Sequence, residues 1–310
     1  MLAHRRVIAA AAAAALPLLG IAATGVGQPA AAAQTTSSPR HYVALGDSYA
    51  AGPGIPVQRI DPLGCQRSTR NYPALVAEAL GIRDVTDVSC SGASTENMTE
   101  PQAVPLGTNR PQFDALTPDT DLVTLTISGN DIGFTDIFVT CSRLGSTNPL
   151  GNPCERQANA GGTDLYAQRI AAAAPKVAGV LEGIRQRSPR ATLLLVGYLR
   201  ILPPAVGCYP VIPIARGDVA YLDVVQERLA AMLAEQADDH GAVFVDAYAG
   251  SLGHDACQLP GVKWVEGIAP TSPAAPVHPN ATGMQAVAAL ALSTLRELEL
   301  RELEEVATPG

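Results

Sequence analysis

The stretch His41-Tyr-Val-Ala-Leu-Gly-Asp-Ser-Tyr-Ala-Ala-Gly52 decides how the rest of the chain is read. It opens as a short apolar run, stops at Gly46-Asp47, and continues as Ser-Tyr-Ala-Ala up to a second glycine. A run of that length closed by turn residues reads as a buried strand feeding a turn. The pattern recurs at Val85–Ser89, Asp121–Ile127, Ala191–Gly197 and Ala242–Asp246. Longer helix-like stretches lie between these runs, at Asn71–Leu80, Arg110–Leu116, Gly162–Gln186 and Ile214–Ala237. A last one starts near Asn280 and runs into the acidic, leucine-bearing end of the chain. Strands apolar on both faces, alternating with helices, belong to a doubly wound parallel sheet covered on both sides. The expectation is a single α/β domain over residues 41–300, five strands flanked by helices, with a tail at 301–310. In such a sheet, ligands bind outside the carboxyl ends of the strands.

Composition narrows the function classes. The 310 residues carry 21 Lys+Arg against 29 Asp+Glu, a net charge of −8, and the basic residues are scattered. Nucleic acid is therefore not an expected partner. At 47% hydrophobic and 16% charged, the chain does not fit the disordered class. Residues 1–33 combine an early Arg5-Arg6, an apolar run from Val7 to about Ala23 and small residues at Pro29–Ala33. That is the make-up of a secretion signal peptide, followed by a Thr/Ser-rich linker at 34–40. The glycines that interrupt the run argue against a stable membrane anchor, and no later stretch is apolar enough to span a bilayer. The expected mature protein is secreted, extracellular and monomeric. All six cysteines, Cys65, Cys90, Cys141, Cys154, Cys208 and Cys257, follow the signal. An even number in an exported chain reads as disulfides, with about 15 possible pairings for six cysteines. No CxxC or close Cys/His cluster points to a metal.

The strand ends carry the chemistry-bearing residues. Ser48 follows the first strand in a glycine-bounded turn. Its hydroxyl there projects beside backbone N–H groups, although a serine at that place also fits an ordinary helix cap. Gly92 follows the second strand, as a backbone donor to a ligand or as turn punctuation. Asn130 follows the third and offers an uncharged amide donor, or simply tolerates a left-handed turn. The fourth strand ends at Gly197-Tyr-Leu-Arg200 with no evident catalytic group. Of the histidines after the signal (His41, His240, His254 and His278), His278 is held between prolines at the start of the last helix. That suits a positioned general base.

Gly-Asp-Ser at 46–48, Gly92, Gly-Asn-Asp at 129–131 and His-Pro-Asn at 278–280 together resemble the SGNH-hydrolase family, the GDSL-type esterases and lipases. The resemblance spans roughly Tyr42 to Ala289. It implies a flavodoxin-like sheet and a serine esterase or lipase that needs no metal or organic cofactor. Ser48 would be the nucleophile and His278 its base; the Ser48 and Gly92 amides and the Asn130 side chain would form the oxyanion hole. Resemblance to the secreted actinobacterial members implies the pairs Cys65–Cys90, Cys141–Cys154 and Cys208–Cys257. One position departs from the family: an aspartate often stands three residues before the histidine, and here that residue is Ala275. The imidazole would be oriented by a backbone carbonyl near Ala275, giving a Ser–His dyad, or by a distant acid, Asp246 or Asp255. A rival nucleophile, Ser251 in Ala249-Gly-Ser-Leu-Gly253, lacks the helix that a nucleophile elbow requires. The proline-rich stretch Ile201–Ile214, with Phe134 and Ile137, would line an acyl groove or simply pack on the core. Fatty-acyl or lipid esters are the expected substrates. A carbohydrate O-acetyl esterase and a non-catalytic exported binding protein are the alternatives.

Overall fold

The computed structural model describes residues 39–307. The signal peptide expected at 1–33, most of the linker and the last three residues of the chain lie outside the described residues. In chain order the elements are β1 (His41–Gly46), α1 (Ser48–Ala51), α2 (Tyr72–Leu80), β2 (Asp84–Asp87), β3 (Gln102–Val104) and β4 (Gly107–Asn109). Then follow β5 (Leu122–Thr126), α3 (Phe134–Thr147), α4 (Pro153–Ala158), α5 (Leu165–Arg187), β6 (Thr192–Val196), α6 (Val219–Asp239), β7 (Val243–Val245), α7 (Ala247–Gly250) and α8 (Ala281–Ala307).

Five strands form one parallel sheet in the order β2-β1-β5-β6-β7. The three central strands are almost wholly buried, and β5 is buried along its whole length. Edge strands β2 and β7 are shorter and partly exposed. The expected five-stranded α/β architecture is what the chain adopts. The chain runs from β1 outward to β2, then returns across the sheet to β5. The topological switch point therefore lies between β1 and β5, where an open parallel sheet has a crevice at its carboxyl end.

Several elements differ from the sequence reading. Arg110–Leu116 forms only a 3₁₀ turn at Gln112–Ala115, because the Gln112 side chain turns inward and bonds both backbone groups of Gly46, at 2.7 and 2.9 Å. The connection from β2 to β5 also holds an antiparallel hairpin, β3–β4, too short for periodicity to reveal. Helix α3 begins directly after the third strand-end motif, at a glycine whose left-handed conformation ends the turn. Helix α8 runs unbroken through residue 300, so the start of the tail at 301 coincides with no break in structure.

All six cysteines are bridged, as Cys65–Cys90, Cys141–Cys154 and Cys208–Cys257. The first joins the loop after α1 to the turn after β2, and the third joins the loop after β6 to the loop after α7. Among the described residues, no helix is long and apolar enough to cross a membrane.

Candidate active site

Asp47 caps α1 through its side chain, accepting the Tyr49 N–H at 2.9 Å. This turns the chain sharply at the end of β1 and leaves the Ser48 hydroxyl at the sheet's carboxyl edge. His278 arrives from the loop before α8, and its Nε2 lies 2.8 Å from Ser48 Oγ, across 230 positions of sequence. Its Nδ1 lies 2.8 Å from the Pro276 carbonyl oxygen. A carbonyl only accepts, so Nδ1 carries the proton and the bare Nε2 accepts from the serine hydroxyl. Burial pulls the imidazole pKa below the ordinary 6.5, with the Pro276 bond acting the other way, so the ring stays neutral to lower pH.

The group bonded to Nδ1 is thus the carbonyl one residue beyond Ala275. The Ala275 carbonyl accepts the His278 backbone N–H instead, at 3.3 Å. Neither candidate acid serves the imidazole. Exposed Asp246 caps α7 through the Ala249 N–H at 2.9 Å. Asp255 is buried and accepts from Cys257 N–H and the Gln258 amide, both at 3.0 Å. Ser251 is also buried, its hydroxyl spent on the Ala247 carbonyl at 2.7 Å and on the Arg200 N–H at 2.8 Å. His254 stacks on Trp264, with ring centroids 3.8 Å apart.

A buried frame behind His278 fixes its path. Glu266, fully buried, accepts from Lys263 Nζ at 2.7 Å, from Thr271 N–H at 2.8 Å and from the Asn280 amide at 2.8 Å. Asn280 also bonds the Lys263 carbonyl and caps α8 through Gly283 N–H, each at 3.0 Å. The Glu266 N–H donates to the His278 carbonyl at 2.9 Å. Between the two, Val277 is held at φ +60°, a strained value for a β-branched residue, with its carbonyl accepting from Tyr49 Oη at 2.8 Å.

The two expected donors lie after two other strand ends, and Asn130 lines the same pocket as Ser48. Gly92 sits at φ +81°, in the left-handed region, in the exposed turn after β2. Among the described residues, neither its N–H nor that of Ser48 has a protein acceptor. Asn130 donates one amide hydrogen to the Ala93 carbonyl at 2.8 Å, which aims the other away from the turn it grips. Asp131 fastens the same turn, accepting Thr95 N–H at 3.0 Å and Thr95 Oγ at 2.5 Å.

A pocket of about 820 Å³, counting its open mouth, leads away from Ser48, Asn130 and His278 between α3 and α6. Phe134, Ile137 and Phe138 line one wall, and Leu222, Val225 and Leu229 the other. The latter three recur on one helical face. Of the stretch Ile201–Ile214, only Ile201 and Leu202 reach this pocket; Ile212 and Ile214 are buried in the core, and Val206 and Val211 are exposed. The groove is therefore built from α3, which carries the expected Phe134 and Ile137, and from α6, whose apolar face reads in sequence as ordinary packing. Tyr198, Gln112 and the Lys263–Glu266 pair are the other site-building residues that sequence reasoning missed. Only their contacts across the fold mark them.

Residues 44–286 match the GDSL-like Lipase/Acylhydrolase family. A protein called Lipase 2, from Streptomyces coelicolor, is 39% identical over 290 residues, covering 92% of this chain and 95% of that one. A crystal structure of phospholipase A1 from Streptomyces albidoflavus superposes with a TM-score of 0.67 at 28% identity, over 84% of this chain and 99% of that one. An extracellular lipase from Streptomyces rimosus gives 0.65 at 28% identity, over 83% and 98%. The chain belongs to the GDSL-like lipase/acylhydrolase family. That membership makes it a carboxylic ester hydrolase.

Proposed function

We propose that the chain is an exported lipase or esterase that cleaves fatty-acyl esters through a Ser48–His278 dyad. The observation that carries this reading is the unbroken series Ser48 Oγ, His278 Nε2, Nδ1 and Pro276 carbonyl, set at the mouth of an apolar pocket. His278 takes the Ser48 proton as Oγ attacks the ester carbonyl. The resulting oxyanion is received by the Ser48 and Gly92 N–H groups and the free Asn130 amide hydrogen. Each donor is worth roughly 3–4 kcal/mol if it behaves as such donors do elsewhere. His278 then gives the proton to the departing alcohol. Water activated by the same imidazole hydrolyses the acyl-enzyme. The Pro276 carbonyl holds the tautomer and ring plane, as an aspartate does in a triad.

The acyl chain lies between α3 and α6. The aliphatic and aromatic lining offers a sugar few hydrogen-bonding partners, so the geometry favours lipid esters over acetylated carbohydrates. Six bridged cysteines support export into an oxidising compartment, and the protein acts as a monomer. A fluorophosphonate is expected to label the wild type at one serine and leave Ser48→Ala unlabelled. Nitrophenyl esters of rising chain length, run beside a phospholipid and an acetylated sugar, should show a preference for medium or long chains. A folded wild type that stays unlabelled, or that accepts acetate alone, overturns the reading.

A further inference from the structure

Ser48 and Asn130 belong to neighbouring strand ends, and an oxyanion hole works only when nucleophile and donors keep their spacing to a few tenths of an ångström. The β1–β5 ladder that could fix this spacing ends at Gly46 and Thr126, with one more bond, from Asp47 N–H to the Thr126 carbonyl at 2.9 Å. Beyond it the two turns part. A third strand end spans the gap. Tyr198, two residues past β6, accepts the Gly129 N–H on its phenol oxygen at 2.7 Å and donates its hydrogen to Asp47 Oδ2. Asp47 immediately precedes Ser48, and Gly129 immediately precedes Asn130. One oxygen atom thus joins the turn of the nucleophile to the turn of the amide donor.

Two observations show that this junction is built. A Cβ on Gly129 would stand 3.0 Å from the Tyr198 hydroxyl and 3.1 Å from the ring carbon that bears it, so any larger residue there would have to displace the phenol by a few tenths of an ångström. The Tyr198 ring is almost fully buried and packs edge-on against Tyr49 at 5.0 Å, and Tyr49 in turn lies 5.2 Å from the His278 ring. Burial raises the Asp47 carboxyl to about 7, against bonds from Tyr198 and the Tyr49 N–H that lower it and a nearby Asp131 that raises it.

We propose that Tyr198 is a positioning residue for ester hydrolysis, its hydroxyl setting the distance between Ser48 and the Asn130 donor. The proposal rests on the dyad mechanism above. Removing the hydroxyl alone, in Tyr198→Phe, is expected to lower kcat about 10- to 100-fold with KM held within about twofold, since the pocket walls are intact. Gly129→Ala keeps the phenol but pushes it aside, and should lower kcat in the same way; it carries the test where Tyr198→Phe does not fold. Tyr248→Phe, which deletes another buried phenol hydroxyl bonded to an aspartate, should leave kcat unchanged. All are measured with a nitrophenyl ester below each variant's unfolding midpoint. A Tyr198→Phe enzyme with unchanged kcat, or one that loses only KM, overturns the proposal. A folded wild type that neither hydrolyses ester nor takes a fluorophosphonate overturns the dyad mechanism, and this proposal with it.

Discussion

Replacing Glu266 by Gln tests whether the buried frame behind His278 holds the loop in place. The side chain keeps its shape but loses its charge, and one acceptor oxygen becomes a donor. In one orientation the new NH₂ faces Lys263 and Thr271, which are donors themselves; in the other it faces the Asn280 amide. Lys263, only 6% exposed at its side chain, is left without its counter-charge. Breaking a buried pair from one side costs about 3–5 kcal/mol. For a domain of this size each kcal/mol lowers Tm by roughly 2–4 °C, so the expected drop is about 6–20 °C. Hydrogen bonds hold the Glu266 carboxyl below its ordinary 4.5 despite burial. Its contribution is therefore present above the unfolded-state pKa and lost as pH falls through the lower, folded one. The penalty should be complete at pH 7 and shrink below about pH 4. Thermal unfolding with the disulfides intact reads it directly. Adding Lys263→Met removes the stranded charge and should recover part of the loss, giving a coupling of about 0.5–3 kcal/mol. A Tm within about 2 °C of wild type, or losses that simply add, refutes the reasoning.

Asp246→Asn and Asp255→Asn should keep kcat within about twofold, whereas His278→Ala should lose it by about 1,000-fold or more. An aspartate variant that matched His278→Ala with its fold intact would show that the Pro276 carbonyl is not the orienting group. The acid limb of kcat/KM should lie below pH 6.5, because the base must be neutral and burial lowers the His278 pKa; a limb centred above 7 contradicts this. Leu229→Trp should shorten the pocket, lowering kcat/KM for long acyl esters about tenfold or more while sparing short ones. A uniform loss across chain lengths would place the acyl chain elsewhere.

The strands were legible because a strand buried on both faces declares itself by composition alone, as Leu193–Val196 does. The convergence of Ser48, Asn130 and His278 was legible for a related reason: the fold class says where to look, and four short motifs together, each ordinary alone, point to one site. The rest depends on contacts far apart in sequence. Tyr198 reads as one more aromatic until its hydroxyl is seen between Asp47 and Gly129. Gln112 reads as a helix surface residue until it is found closing the end of β1. The carbonyl that bonds His278 Nδ1 had no side chain to announce it, so the reading fell near Ala275, the position where the family often keeps an aspartate. The main chain turns one residue further on.

Under the proposed dyad mechanism, the Pro276 carbonyl has a consequence for how this hydrolase can change. An aspartate in that role titrates, and one codon change removes it. A main-chain oxygen does neither: every residue at 276 supplies the same acceptor, at every pH the fold survives. What inheritance must protect is therefore not the identity of residue 276 but the course of the peptide through it. That course is kept by Tyr49 on the Val277 carbonyl and by the bond from Glu266 to the His278 carbonyl. Mutational sensitivity for base orientation is thereby moved off the loop and onto residues that never meet the substrate's carbonyl.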